Sequence, residues 1–264
     1  MPLRPAATRR VTLTMTDTLQ LATYNIHKGF SFFKRRLVIH EVREHLRGLN
    51  ADLLFLQEVQ GGHRHHARRL AAWPDQPQHE FIADSVWTDF AYGRNAVYDA
   101  GHHGNAILSR FPIVRWDNED ISEHRFESRG MLHAEVSIPD WRENLHCICV
   151  HLGLFARHRS RQMRALRGRI ENLVPEHAPL IIAGDFNDWS QHADTELAKP
   201  LGLKEAFEHT FGRTARSFPA ALPLFQLDRI YVRGFNVRHA RVHHGHPWAR
   251  ISDHAALTAS IVRI

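Results

Sequence analysis

The chain of 264 residues is 43% hydrophobic with 15 Phe and 6 Trp, which excludes a disordered polar chain. No apolar run approaches the ~20 residues that a membrane-spanning helix requires. The formal charge of +6 admits nucleic acid or an anionic membrane surface as a partner. It does not choose between them: of 34 basic residues only Lys28, Lys34, Lys199 and Lys204 are lysine, an arginine skew that codon bias can also produce.

Residues 1–18 include Arg4, Arg9 and Arg10 but no apolar core, so they read as a flexible arm and not as a secretory signal, with the cytoplasm as the expected location. Met15 offers a second possible start just before the first strand. Apolar runs predict strands at 19–24, 53–57, 106–109, 131–137, 145–152, 180–184, 228–233 and 255–262. Between them, Val38, Val42, Leu46 and Leu49 recur at helical spacing, as do Met163, Leu166, Ile170 and Leu173. Both stripes are expected to face a core, with Arg161, Arg164, Arg167 and Arg169 on a solvated face.

Longer connections are expected at 84–103, 211–226 and 238–250. The first carries Trp87, Phe90, Tyr92, Arg94 and Tyr98, which either stack a base or head group or pack the loop down. Alternating strands and helices without repeats or a linker indicate one α/β or α+β domain over 19–264. Cys147 and Cys149, two apart on one strand, read as packing residues in a reducing compartment. The histidine clusters at 63/65/66, 102/103 and 243/244/246 lack the cysteines of a structural zinc site and read as solvated loop residues.

Six polar islands stand out against this background. They are Tyr24-Asn25, Gln57-Glu58, His151, Gly184-Asp185-Phe186-Asn187, Leu227-Asp228-Arg229 and Ser252-Asp253-His254, several directly after a strand-like run. In open α/β sheets, strand ends converge on one crevice. Converged, these islands supply carboxylates, amides and two histidines, a set suited to hydrolysing a phosphate ester with a hard divalent metal. Glu58 ends the run Leu53-Leu54-Phe55-Leu56, where an unpaired carboxylate is costly, so it is the first metal ligand to consider. Asn25 and Asp253 complete an oxygen-rich set that suits Mg²⁺ or Mn²⁺. His254 and Asp228 read as a histidine–carboxylate dyad. His151 shares a strand face with Leu145, Cys147 and Cys149, which also fits a core histidine.

The islands, together with Gly104-Asn105-Ala106-Ile107-Leu108-Ser109 and Leu227-Asp228-Arg229-Ile230-Tyr231, resemble the endonuclease/exonuclease/phosphatase superfamily in order and local sequence over about residues 19–264. That superfamily includes pancreatic deoxyribonuclease, abasic-site endonucleases, inositol polyphosphate 5-phosphatases and bacterial sphingomyelinases. The resemblance implies a four-layered sandwich, two mixed β-sheets packed face to face with helices outside. It also implies that Asp185 orients or deprotonates the attacking water, that Asn187 hydrogen-bonds a phosphate oxygen and that His151 binds phosphate. Asn105 and Arg129 are further candidates, for site support and phosphate binding.

The expected activity is metal-dependent phosphodiester hydrolysis by a monomer with no obligate protein partner. Nucleic acid is slightly favoured as substrate, with a phospholipid head-group phosphodiesterase as the alternative. A non-catalytic basic or histidine-rich metal-binding module is a remote alternative.

Overall fold

A computed structural model of the protein describes residues 18–32, 36–123, 127–189 and 191–264. Almost all of the expected N-terminal arm thus lies outside the described residues. No helix among the described residues is long and apolar enough to cross a membrane.

Two βαβ units organise the chain. In the first, β1 (Thr18–Asn25) leads through α1 (Ile39–Gly48) to β2 (Leu53–His63), and the two strands pair in parallel. In the second, β7 (Leu145–His151) leads through α4 (Ala156–Leu173) to β8 (Leu180–Asp185), again in parallel. Parallel neighbours need such a crossover, and the helix then covers one face of the sheet. The strands are therefore buried on both sides, which is why they read as unbroken apolar runs.

Antiparallel strands flank each pair: β3 (Asp89–Tyr98), β4 (Gly101–Ser109), β5 (Ile113–Asp120), β6 (Gly130–Val136), β9 (Lys204–Glu205), β10 (Asp228–Arg233), β11 (Phe235–His243) and β12 (Ala256–Arg263). One six-stranded sheet runs β11-β12-β1-β2-β4-β3 and the other β5-β6-β7-β8-β10-β9. The sheets pack face to face over Leu21, Phe55, Ile107, Cys147, Ile181 and Ile230. Outside the first sheet, α1, α3 (Gln78–Ala83) and α6 (Trp248–Ile251) bury Val42, Ile82 and Trp248 against Leu54 and Leu56. Outside the second, α4 buries Met163, Leu166 and Ile170 against Ile148 and Ile182. Helix, sheet, sheet and helix make the four-layered sandwich.

Several expectations are corrected. Residues 84–103 are not a loop: they include β3 and its turn into β4, and 238–250 hold the end of β11 and α6. Trp87 and Tyr92 pack inward, whereas Tyr98 stays exposed while bonding to β2. Trp87 Nε1 donates to the Ala51 carbonyl at 3.0 Å, Tyr92 stacks on His79 at 4.3 Å, and Tyr98 Oη accepts from Gln60 Nε2 at 3.1 Å. Leu173, at the end of α4, is half exposed and not in the core. Arg169 is not solvated either: it bridges to Asp117 and Glu119 on β5. His63, His102 and His243 sit on strands within ring contacts: His63 stacks on His66 at 3.5 Å, His102 Nδ1 meets Tyr92 Oη at 3.0 Å, and His243 packs on Trp248.

Candidate active site

The parallel pairs deliver the polar islands to one end of the sandwich. Asn25 closes β1, His151 closes β7 and Asp185 closes β8, while Asp228 opens the antiparallel β10. Register places His151 beside Asp185 and Asp228 on its other side, so three strands set the trio side by side. Gly184 makes this approach possible. It lies at φ 149°, and an added Cβ would overlap the Val150 carbonyl oxygen.

Asp185 is the hub. Its Oδ1 accepts from the Asn187 backbone N–H at 3.0 Å, and its Oδ2 accepts from Asn25 Nδ2 at 3.2 Å, across the sheet interface. Oδ2 also lies 3.5 Å from His151 Nε2 and 3.6 Å from His254 Nε2. Burial raises the Asp185 carboxyl to about 7, with His254 opposing and Asp228 adding to the rise.

His254 is held from its other side, Nδ1 2.9 Å from Asp228 Oδ2. Burial alone disfavours its charged form, but Asp228 and Asp185 outweigh it and raise the imidazole to about 10. His151 behaves oppositely. Burial, reinforced by Arg129, drives it well below the usual histidine range, so its ring is neutral. The Asp228 backbone N–H donates to Ser217 Oγ, and Ser252 Oγ donates to the Asn25 carbonyl at 2.7 Å, so loop hydroxyls fix both ends of the constellation.

Glu58 arrives by a different device. The β2–β4 register slips between Leu56 and Val59, and Glu58 occupies that bulge at φ 56°. A bulge re-aims a side chain that regular pleating would turn elsewhere. Its carboxylate accepts no hydrogen bond among the described residues, and Lys28 Nζ lies 3.7 Å away. Burial works against the charged form, yet His151, Lys28, His27 and His254 hold the group at about 2. Asp253 stands on the other side of the same turn, 3.5 Å from His27 Nδ1, and the Asn25 side-chain oxygen accepts from the His27 N–H at 3.1 Å.

Glu58, Asp253 and Asn25 thus each meet the His27–Lys28 turn through a side-chain oxygen, and the unbonded Glu58 carboxylate suits a hard divalent cation. Separately, Asp185, Asp228 and His254 have their ligand atoms within 4.8 Å of one another. His254 is protonated there, hydrogen-bonded to Asp228 and within ion-pair reach of Asp185, so this group reads as a charge-paired relay and not as a cation site.

The remaining candidates separate. Asn105 is buried, and its Nδ2 donates to the Gly130 and Cys149 carbonyls at 3.0 and 3.4 Å. It ties β4 to the opposite sheet near the site. Gln57 makes a parallel tie, Nε2 to Cys149 Sγ at 3.3 Å. Asn187 takes a left-handed backbone at φ 47° and spends one amide hydrogen on the Leu152 carbonyl at 2.9 Å. Arg129 donates from Nη1 to the Ser128 carbonyl and leaves buried Nε unpaired.

Periodicity gave no hint of an aromatic patch beside the relay. Phe218 packs 5.1 Å from the His254 ring, Trp189 lies 4.8 Å from Phe225, and Trp189 and Phe225 are 45% and 44% exposed. Their signal was positional: Trp189 follows the Asp185–Asn187 island, and the other two precede Asp228. Asp188 was also missed. It is buried, 3.7 Å from Arg159 Nε, and accepts from the Ala193 N–H, which braces the turn that carries Asn187.

Comparison with known proteins agrees with this architecture. The Escherichia coli (strain K12) protein YbhP is 44% identical over 248 residues, covering 94% of this chain and 98% of YbhP. An endonuclease/exonuclease/phosphatase structure from Bacteroides vulgatus superposes with a TM-score of 0.72 at 16% identity, over 94% of this chain and 99% of that one. The D. rerio TDP2 structure with a single-strand DNA product has a TM-score of 0.68 at 16% identity, over 92% and 98%. The endonuclease/exonuclease/phosphatase family model matches residues 22–254, and the chain belongs to that hydrolase family.

Proposed function

We propose that the protein is a divalent-metal-dependent phosphodiesterase that acts by in-line attack of water, with nucleic acid as the favoured substrate. The observation that carries this reading is the relay Asp228–His254–Asp185 beside the unbonded Glu58 carboxylate. A phosphodiester needs positive charge on its oxygens, a deprotonated nucleophile and a donor for the developing phosphorane.

Glu58, Asp253 and Asn25 would hold Mg²⁺ or Mn²⁺, which when bound neutralises phosphate oxygens. Asp185, with a carboxyl raised to about 7, is suited to accept the proton of the attacking water. His254, protonated and held by Asp228, donates to a non-bridging oxygen. Neutral His151 and the free amide hydrogen of Asn187 orient that phosphate. Arg129 stands behind His151 as an added positive charge.

Nucleic acid is favoured by the exposed Trp189–Phe225 patch next to His254, since flat aromatic faces stack bases whatever their sequence. The net positive charge and the DNA product bound to the structurally similar TDP2 point the same way. The protein is expected to act as a monomer in the cytoplasm.

The test is purified protein with Mg²⁺ or Mn²⁺ offered single-stranded DNA, duplex DNA, RNA, bis-p-nitrophenyl phosphate and phospholipid vesicles. Metal-dependent cleavage of nucleic acid is expected. Preferential cleavage of phospholipid would replace the substrate assignment, and inactivity on every diester would overturn the reading.

A further inference from the structure

Away from the relay, a cavity of about 760 Å³ opens between α5 (Ala206–Phe211), β11 and the loop at 211–226. Its size falls in the range of small-molecule sites, ~300–1,000 Å³. The floor is apolar and continuous with the inter-sheet core: Phe207, Ala215 and Ala240 are buried, and Val242 packs against them. Phe211 and Leu222 form its lips and are 55% and 68% exposed.

The rim has the opposite chemistry. Arg213, Arg216 and Arg241 line the opening, and no carboxylate pairs with any of them among the described residues. The Thr214 hydroxyl, in the wall, is buried with no hydrogen-bond partner. An apolar floor and an unneutralised cationic rim complement one kind of molecule.

We infer that this cavity binds an anionic amphiphile, its hydrocarbon body on Phe207, Ala240 and Val242 and its single phosphate or carboxylate head on Arg213, Arg216 and Arg241. Guanidinium groups suit such heads because they present paired donors. The site is distinct from the relay. The loop at 211–226 separates the two, turning Phe218 towards His254 and Phe225 towards Trp189, and Leu222, Pro223 and Gln226 towards the cavity.

Titration calorimetry of the full chain tests this, with dodecyl phosphate and dodecanoate below their micelle concentrations. Dodecyl maltoside serves as the neutral-head control and inorganic phosphate as the head alone. One-to-one saturable binding of an anionic amphiphile is expected, with both controls about tenfold weaker or worse. Whichever of dodecyl phosphate and dodecanoate binds tighter identifies the head. Arg216→Glu with Arg241→Glu, both exposed, should weaken anionic binding about tenfold or more and leave the neutral control unmoved. Ala240→Phe should block every tail. If Ala240→Phe fails to melt cooperatively, the rim pair decides. Stoichiometry well above one, or unchanged affinity in the rim pair, would overturn the inference.

Discussion

His254 Nδ1 lies 2.9 Å from Asp228 Oδ2, and both side chains are almost fully buried, so the imidazolium is fixed in one orientation before any substrate arrives. The opposite ring nitrogen then has a single direction in which to work, towards Asp185 and the phosphate that would sit beside it.

Asp228→Asn is expected to keep the fold and lower turnover by ~10²- to 10⁴-fold, because the amide cannot stabilise an imidazolium. His254→Ala should lose a similar amount and the double variant little more, since groups acting as a unit are non-additive. Steady-state kinetics with a melting curve for each variant checks this. Multiplicative losses would mean that the two side chains act separately.

Activity removed by a chelator should return with Mg²⁺ or Mn²⁺ and return poorly with Zn²⁺, because the ligand set is oxygen. Glu58→Gln should raise the metal concentration needed for half-maximal turnover about tenfold or more, while Asp228→Asn barely moves it. Metal titrations of the two variants separate ligand from relay, and equal shifts would refute the division.

Truncating the exposed aromatic patch should read out as substrate affinity. Trp189→Ala or Phe225→Ala is expected to cost ~1–3 kcal/mol in single-strand binding, with chemistry on bis-p-nitrophenyl phosphate largely retained. Loss on both substrates alike would assign the patch to site architecture instead.

Glu205 gives the fold a pH dependence of its own. Burial raises this carboxyl to about 7, while the Glu208 N–H that it caps at 2.7 Å and the buried Arg229 pull the other way. The folded state therefore binds a proton that the unfolded chain releases near 4.5, and stability falls as pH rises from about 4.5 to about 7. The full loss is roughly 3 kcal/mol at 1.36 kcal/mol per unit. Glu205→Gln should flatten that slope in denaturant titrations at pH 5 and pH 7.5. An unchanged slope would place the titration elsewhere.

How much was legible depended on burial. Strands β1, β2, β7 and β8 are largely buried, so mostly apolar runs mark them, and Asn25, Glu58, His151 and Asp185, which close or interrupt those runs, mark the site, while Asp228 opens the buried β10. The edge strands β3, β5, β9 and β11 escaped notice because solvent takes one face. In β11, Asn236, Arg238, His239 and Arg241 interrupt the pattern, and pairing with β12 imposes the strand. The bulge that turns Glu58 and the loop contacts that assemble Trp189, Phe218 and Phe225 arise from register and tertiary packing, which carry no local period. The histidine clusters misled for the same reason: sequence adjacency suggested loops, whereas pairing placed His63, His102 and His243 among aromatic rings on strands.

The Asn25–Asp185 hydrogen bond and the Gln57–Cys149 contact join opposite sheets at the same end as the relay. Neither βαβ unit alone holds both a candidate cation cradle and the relay, because Asn25 and Glu58 come from one sheet and His151, Asp185 and Asp228 from the other. Sandwich closure is therefore itself a switch for competence. A chain with only one sheet formed would have no assembled centre, so the hydrolytic potential of such a fold depends on the two leaves meeting.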